Sequence, residues 1–221
     1  GRATITAYTT GGKNVKCTVT VNGKISDSSI SAIKTQSYTG KAVSPTPAVT
    51  YGGKKLVKNT DYTVSYSKNT AIGQANVKIT GKGLYKGTKT VNFNIRPATV
   101  TELKVSSTGE KSVKLSWKKV TGADSYAIYR YDSTSKKWQR IKIVKAVSFT
   151  DSGLARAKGY SYKIKAVKKS GGKEYISASY SKAVEAVTKP AKASCTAKSA
   201  GSGSIEVSWK AVGGASGYEI Y

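Results

Sequence analysis

The stretch Val113–Tyr129, VKLSWKKVTGADSYAIY, returns at the end of the chain as Ile205–Tyr221, IEVSWKAVGGASGYEIY. Nine of the 17 aligned positions are identical, and the offset is 92 residues throughout, with no gap. A period of this size is the length of one small β-sandwich domain and is too long for a solenoid repeat. The repeat therefore predicts an all-β array of tandem antiparallel β-sandwiches, truncated at both ends.

Residues 97–189 hold the complete copy of the repeat. Apolar residues alternate with polar ones on its second, third and sixth predicted strands, and the inward-facing set is Val113, Leu115, Trp117, Tyr126, Ile128, Tyr160, Tyr162, Ile164 and Ala166. We expect seven short strands, the last of them Ala183–Val187, reached through a turn at Lys168–Lys173. No helical period interrupts them.

This segment resembles a fibronectin type III domain, because it carries a tryptophan on the second strand and the Leu154/Tyr160 pair six residues apart before a Y-x-Y-x-I-x-A strand. The resemblance implies that the Tyr160 hydroxyl is tied to nearby backbone, a structural role. No Arg-Gly-Asp stands in the Lys168–Lys173 loop, so the integrin-binding use of the family is not supported. Residues 190–221 begin a second domain of this type after Lys189-Pro190.

Residues 22–96 follow a different pattern of short alternating strands and end at Arg96-Pro97. Their motifs are Tyr38-Thr39-Gly40, Asp61-Tyr62-Thr63-Val64 and Gly81-Lys82-Gly83. The segment resembles an Ig-like repeat that is frequent in surface proteins of gut Firmicutes. The resemblance implies a second β-sandwich, located at the cell surface.

Residues 1–21, GRATITAYTTGGKNVKCTVTV, read as two strands around a Gly-Gly turn. They resemble the C-terminal end of bacterial Ig-like group 2 domains. On the second strand Cys17 is in phase with Val15, Val19 and Val21, so we expect a small buried hydrophobe there. The other cysteine, Cys195, falls in a different predicted module, and no intradomain disulfide is expected.

The net charge is +27, from 38 basic and 11 acidic residues, and only five of the basic residues are arginine. One interpretation is attraction to a polyanion such as an anionic cell-wall polymer or glycan. The other is a solvated lysine coat that keeps the array soluble and blocks pairing of sheet edges. We favour the coat, because the lysines are scattered over every predicted module. Nucleic acid is disfavoured, because arginine is scarce.

The composition argues against catalysis within this chain. It contains no histidine, which removes the commonest general base and metal ligand. The 11 carboxylates form no calcium-binding loop, and we interpret them as solvated loop acids. The Gly-Gly pairs lie between strands as turns. We therefore expect no catalytic, cofactor-binding or metal-binding residue, and no cofactor.

Four aromatic residues outside the inward phase are candidates for a ligand platform: Tyr129, Tyr131, Trp138 and Tyr175. Exposed rings stack on sugar faces, but cross-strand pairing on a sheet is a commoner use of such rings. We favour the pairing.

The sequence favours a non-catalytic spacer or stalk of a secreted, cell-wall-associated, Gram-positive bacterial surface protein, with neighbouring domains of the same chain as its partners. One alternative is an adhesion module that binds anionic cell-wall polymer or host glycan. Another is an accessory region of a secreted glycoside or peptidoglycan hydrolase whose catalytic domain lies outside this chain. The sequence has no apolar run long enough to span a membrane.

Overall fold

A computed structural model describes residues 2–20 and 22–221. The chain divides into two compact units, Gly1–Arg96 and Pro97–Tyr221. Most strand pairs in both are antiparallel, and two short pairs in the first unit are parallel. One turn of 3-10 helix lies at Ile25–Asp27. The predicted fold class, tandem β-sandwiches, is confirmed.

The first unit begins with a hairpin of β1 (Arg2–Tyr8) and β2 (Asn14–Thr20), a two-stranded sheet. Ile5 and Val15 are 58% and 67% exposed. Cys17 is also exposed, so the prediction that it is buried is wrong. A two-stranded hairpin is a single layer. The side chains on its apolar face remain exposed to water unless a second layer covers them. The Val21 in the same predicted phase lies outside the described residues.

Residues 22–96 contain nine further strands: β3 (Gly23–Lys24), β4 (Ser29–Ile30), β5 (Gln36–Ser37), β6 (Val49–Tyr51), β7 (Lys54–Lys55), β8 (Tyr62–Ser67), β9 (Gly73–Gly81), β10 (Tyr85–Lys86) and β11 (Thr88–Arg96). A four-stranded sheet has the order β5-β11-β9-β8, a three-stranded sheet has the order β4-β6-β7, and β10 pairs with β3. The core between the two larger sheets holds Val49 from one and Tyr62 and Ile79 from the other.

Residues 97–189 contain eight strands: β12 (Lys104–Thr108), β13 (Ser112–Ser116), β14 (Ser125–Asp132), β15 (Lys137–Val144), β16 (Ser148–Ser152), β17 (Gly159–Ser170), β18 (Lys173–Ile176) and β19 (Val184–Val187). One sheet is β12-β13-β16. The other is β15-β14-β17, and both β18 and β19 pair with β17. The predicted inward residues of β13 and β14 are buried between the two sheets.

The seventh predicted strand, Ala183–Val187, is found as β19 (Val184–Val187), and β18 (Lys173–Ile176) is an additional strand that was not predicted from the sequence. The predicted turn at Lys168–Lys173 is shorter than expected, because β17 runs to Ser170 and only Gly171 and Gly172 turn, both at positive φ. Between β18 and β19, the Ser181 hydroxyl accepts a hydrogen bond from the Ile164 N–H at 3.0 Å. A serine side chain thus takes the place of a ladder carbonyl between these two strands.

The last strands are β20 (Cys195–Gly201) and β21 (Ser204–Trp209), which pair with each other. Trp209 and Tyr218 lie 5.4 Å apart between ring centroids, and Trp117 and Tyr126, 92 residues earlier, lie 5.3 Å apart. The contact between a tryptophan and a tyrosine is thus present in both copies of the repeat. The tryptophan is buried only in the first copy, since Trp117 is 5% exposed and Trp209 is 38% exposed.

A buried polar cluster joins the two sheets of residues 97–189. Asp151 on β16 accepts hydrogen bonds from Arg130 on β14, at 2.7 Å, and from the Tyr162 hydroxyl on β17, at 2.9 Å. Asp151 is buried, so its interpretation as a solvated loop acid is wrong. A carboxylate inside a sandwich needs such partners, because an unpaired buried charge is strongly destabilising.

The repeat supplies a matched test of burial. The Tyr126 hydroxyl accepts the buried Val120 N–H at 2.8 Å, and Tyr218 accepts the Val212 N–H in an exposed setting. We expect Tyr126→Phe to lower the free energy of unfolding by about 1–2 kcal/mol, because a buried donor loses its acceptor. Tyr218→Phe should change it by less than about 0.5 kcal/mol. Guanidinium unfolding of both variants measures this, and equal losses would contradict it.

Tyr162 should make stability depend on alkaline pH. Burial, followed by the hydrogen bond to Asp151, raises the pKa of Tyr162 above its ordinary value of 10.0. The folded state therefore keeps a proton that the unfolded chain loses. This contribution is complete below about pH 10 and is lost as the pH rises further, by up to about 1.4 kcal/mol per pH unit.

The measurement is the free energy of unfolding of the wild type and Tyr162→Phe across that range. Lysine titration is common to both proteins, so the difference isolates Tyr162. We expect the variant to be less stable at neutral pH and to lose less stability on going to alkaline pH. Parallel curves would contradict the assignment.

Candidate functional site

Three of the four aromatic candidates lie together on the outer face of the sheet β15-β14-β17. Tyr126 and Ile128 of β14 are buried in the core, so strand alternation directs Tyr129 and Tyr131 outward. Trp138 of β15 is directly opposite Tyr131 in the register. The fourth candidate, Tyr175, is opposite Lys168 in the register of β17 and β18. Lys168 alternates with Lys163 and Lys165 along β17 and is on the opposite face of the sheet, so Tyr175 does not lie with the other three candidates.

The outward rings form two contacting pairs. Tyr131 and Trp138 have centroids 5.4 Å apart at an interplanar angle of 57°. Tyr129 meets Tyr180 at 4.9 Å and 89°, an edge-to-face contact. The interpretation of these rings as cross-strand pairs therefore holds for Tyr131 and Trp138. Tyr180 lies in the segment between β18 and β19, which has no strand pattern, and sequence reasoning missed it.

Two lysines of β17 lie over these rings. The Lys163 ammonium is 4.4 Å from the Trp138 centroid and 5.8 Å from that of Tyr180. The Lys165 ammonium is 4.2 Å from the Tyr180 centroid and donates to the Ala178 carbonyl at 3.3 Å. No sequence signal distinguishes these two among so many lysines. We name the set the aromatic–lysine strip: Tyr129, Tyr131, Trp138, Lys163, Lys165 and Tyr180.

The strip is positively charged, since it contains two lysines and no carboxylate. Burial, and then the neighbouring Tyr180, raises the pKa of Tyr129, so this phenol keeps its proton at neutral pH. Each cation over a ring face contributes about 0.5–1 kcal/mol at a site of this exposure. Arg140, opposite Tyr129 in the register, forms an ion pair with Glu174 at 3.5 Å. The Lys163 and Lys165 ammonium groups are positioned against the faces of Trp138 and Tyr180.

A polar cavity of about 380 Å³ lies at one end of the same sheet. Its wall includes Arg130, Lys158 and Tyr160, and the Tyr160 hydroxyl accepts the Ala155 N–H at 2.9 Å, the backbone link implied by the resemblance. Asp132 also lines it, and hydrogen bonds from the Ser135 hydroxyl and the Thr134 N–H lower the pKa of its carboxyl. Asp132 is thus engaged in its own turn and remains an anion.

Other site chemistry is sparse in the part of the chain that the structure describes. Residues 2–20 and 22–221 contain no group of three or more His, Cys, Asp or Glu side chains that could hold a metal ion. No helix within these ranges is long and apolar enough to cross a membrane. Cys17 and Cys195 are both free and exposed.

Basic side chains occupy both outer faces of the 97–189 sandwich. Lys104 and Lys114 are exposed on the three-stranded sheet, opposite the face that carries Lys163 and Lys165. This spread agrees with a lysine coat over the whole domain. The strip differs from the coat in that its lysines contact aromatic rings.

Known proteins resemble parts of this chain. No protein-family model matches the chain. A poly(3-hydroxybutyrate) depolymerase of Ralstonia pickettii is 40% identical to it over 100 residues, which are 45% of this chain and 18% of the depolymerase. The chain thus spans less than a fifth of that relative's length.

Two solved structures illustrate the fold-level likeness. The fibronectin type-III domain of human fibronectin type III domain containing protein 3 is 20% identical, with a TM-score of 0.38, covering 43% of this chain and 89% of that one. A crystal structure of several domains from titin is 18% identical, with a TM-score of 0.36, covering 85% of this chain and 74% of that one. The β-sandwich assignment itself rests on the strand pairing and burial described above.

The contact between Lys163 and Trp138 is directly observable in solution. Protons above a ring face are shifted upfield by the ring current, so we expect the side-chain methylene signals of Lys163 to lie upfield of those of Lys114. Trp138→Leu should move the Lys163 signals to the ordinary lysine position and leave Lys114 unchanged. Ordinary Lys163 shifts in the wild type would show that the ammonium does not occupy the ring face.

Proposed function

We propose that this chain is a non-catalytic spacer, a series of modules at residues 1–21, 22–96, 97–189 and 190–221. The observation that carries the proposal is that the chain enters each complete sandwich at one end and leaves it at the opposite end. In residues 97–189, the Thr101 carbonyl accepts the Lys118 N–H at 3.2 Å, beyond the end of β13. The Lys189 N–H donates to the Gly109 carbonyl at 2.9 Å, before the start of β13.

The two ends of that sandwich are separated by the length of β13 and its flanking residues, roughly 20 Å at 3.4 Å per residue. Residues 22–96 repeat the arrangement. The Gly23 N–H donates to the Leu84 carbonyl at 2.9 Å, close to the start of β11, and the chain leaves at Arg96, where β11 ends. A nine-residue strand gives this sandwich a span of roughly 30 Å.

Hydrogen bonds also hold the segment that leaves the 97–189 sandwich. The Thr188 hydroxyl donates to the Ala155 carbonyl at 2.7 Å. The Glu110 carboxylate accepts from Arg156 at 2.9 Å and from the Lys192 N–H at 3.3 Å. The bonds made by Thr188 and Lys192 restrict rotation about the backbone after Val187, and Arg156 holds the Glu110 carboxylate that Lys192 contacts. This favours a semi-rigid spacer over a flexible linker.

We place this spacer in a secreted, extracellular protein associated with the cell wall of a Gram-positive bacterium. The surface-repeat motifs of residues 22–96 support that placement. The partners in this proposal are neighbouring domains of the same chain.

A second candidate function is an accessory region of a secreted polymer-degrading hydrolase, with the catalytic domain outside these residues. The 40% identity to a poly(3-hydroxybutyrate) depolymerase favours it, because the matched 100 residues are a minor part of that enzyme. Glycoside and peptidoglycan hydrolases are further hosts for the same role. In each case the sandwiches set the distance between the enzyme and another domain.

A spacer under tension should stay folded and then yield one sandwich at a time. With the whole chain held between terminal handles in an atomic force microscope, we expect two separate unfolding peaks. Residues 22–96 should release about 230 Å of contour length and residues 97–189 about 290 Å. Asp151→Ala, which leaves Arg130 without its carboxylate, should lower the force of the second peak alone.

The unchanged peak of residues 22–96 is the internal control in every trace. Smooth extension without peaks would overturn the spacer proposal, because such a chain transmits force as a flexible coil. Loss of both peaks in Asp151→Ala would also contradict it, since the modules would then not be mechanically independent.

A further inference from the structure

We propose that the aromatic–lysine strip is a binding surface for an acidic polysaccharide, a function separate from that of the spacer. Lys163 is its centre. Its ammonium lies between Trp138 and Tyr180. Among the residues that the structure describes, no carboxylate lies within ion-pair distance of it. A lysine placed in this way presents an ordered positive charge to a partner.

The spacing of the strip suits a linear polymer. Lys163 and Lys165 are two residues apart on one face of β17, which places their backbone positions about 7 Å apart along the strand. Trp138 and Tyr131 extend the same face across two further strands. The result is a row of cations and rings along one face of the sheet, and the polar cavity described above, which Tyr131 also lines, lies at the end of this row.

The chemistry of the strip matches a sugar polymer with anionic groups. Ammonium groups bind carboxylate, sulfate or phosphate as point charges, without the geometric demands of an arginine fork. Rings such as Tyr131, which is 39% exposed, offer apolar surface to the CH faces of a sugar, and their hydroxyls bond its hydroxyl groups. A bare polyanion would use only the lysines, and a neutral glycan only the rings.

The test uses the whole chain and polygalacturonate at about 0.15 M salt, with affinity measured by titration calorimetry. The strip variant is the double substitution Lys163→Met and Lys165→Met. Its matched control is Lys104→Met and Lys114→Met on the other sheet of the same sandwich. Both pairs lower the net charge by two and keep long side chains on a strand.

We expect the strip variant to bind roughly tenfold more weakly and the control variant to lose less than about twofold. Trp138→Leu, which keeps every charge, should also weaken binding, because Lys163 loses its ring. The fully methyl-esterified polymer, which has the sugar rings without the charge, should not bind. Unfolding midpoints of the three variants verify that each is folded.

Three results would overturn the proposal. Equal losses in the two double variants would assign binding to net charge alone. Undiminished binding of the methyl ester would remove the role of the lysines. Inorganic polyphosphate that binds as tightly, with the same dependence on the two double variants, would show a general anion patch in place of a polysaccharide site. The force measurement on the spacer is independent of all three.

Discussion

A β-sheet buries its apolar face only when a second layer covers it, and every burial difference along this chain follows from that constraint. In residues 97–189 the second layer is present, and Trp117 is 5% exposed. Its counterpart Trp209 keeps the same contact with a tyrosine but is 38% exposed. Strand pairing and local ring contacts therefore form from short-range sequence, and the hydrophobic stabilisation of roughly 25 cal/mol per Å² requires the partner sheet. We therefore expect a two-layered sandwich to be the smallest part of this chain that is stable by itself.

The polar cluster of Arg130, Asp151 and Tyr162 is the second link between the two sheets, and it acts differently from the apolar core. Apolar contacts tolerate small shifts of one sheet over the other, whereas three polar groups satisfy each other only at one relative position. Burying a carboxylate is costly, so the cluster is not a simple gain in stability. Its contribution is to specify how the sheets pack. In the proposed spacer, such a fixed arrangement would help the domain to transmit force between its ends.

Period-2 alternation was sufficient to predict the strands, because outward and inward positions differ in polarity along each one. The repeat is found in another way, from residue identities at a constant offset of 92 residues. Alternation gave a wrong prediction at Cys17, which is exposed. The pattern shows on which face of a strand a side chain lies, but it does not show whether a second sheet covers that face. It failed at Asp151, because charge alone predicts exposure when the partners come from other strands. Lys163 and Tyr180 were missed because their contact joins a strand to an irregular segment, and no local pattern encodes that meeting.

A mobile surface lysine and an ordered lysine differ in the side-chain entropy that is lost when an anion binds. A free lysine side chain loses up to about 2 kcal/mol of rotamer freedom when a ligand immobilises it, which cancels most of a surface ion pair. Lys163 has given up part of that freedom in the folded protein, because Trp138 lies 4.4 Å from its ammonium. On the binding proposal, the same charge should therefore bind an anion more strongly on the strip than elsewhere on the domain. A highly basic spacer can thus remain inert over most of its surface and still hold a polymer along one face.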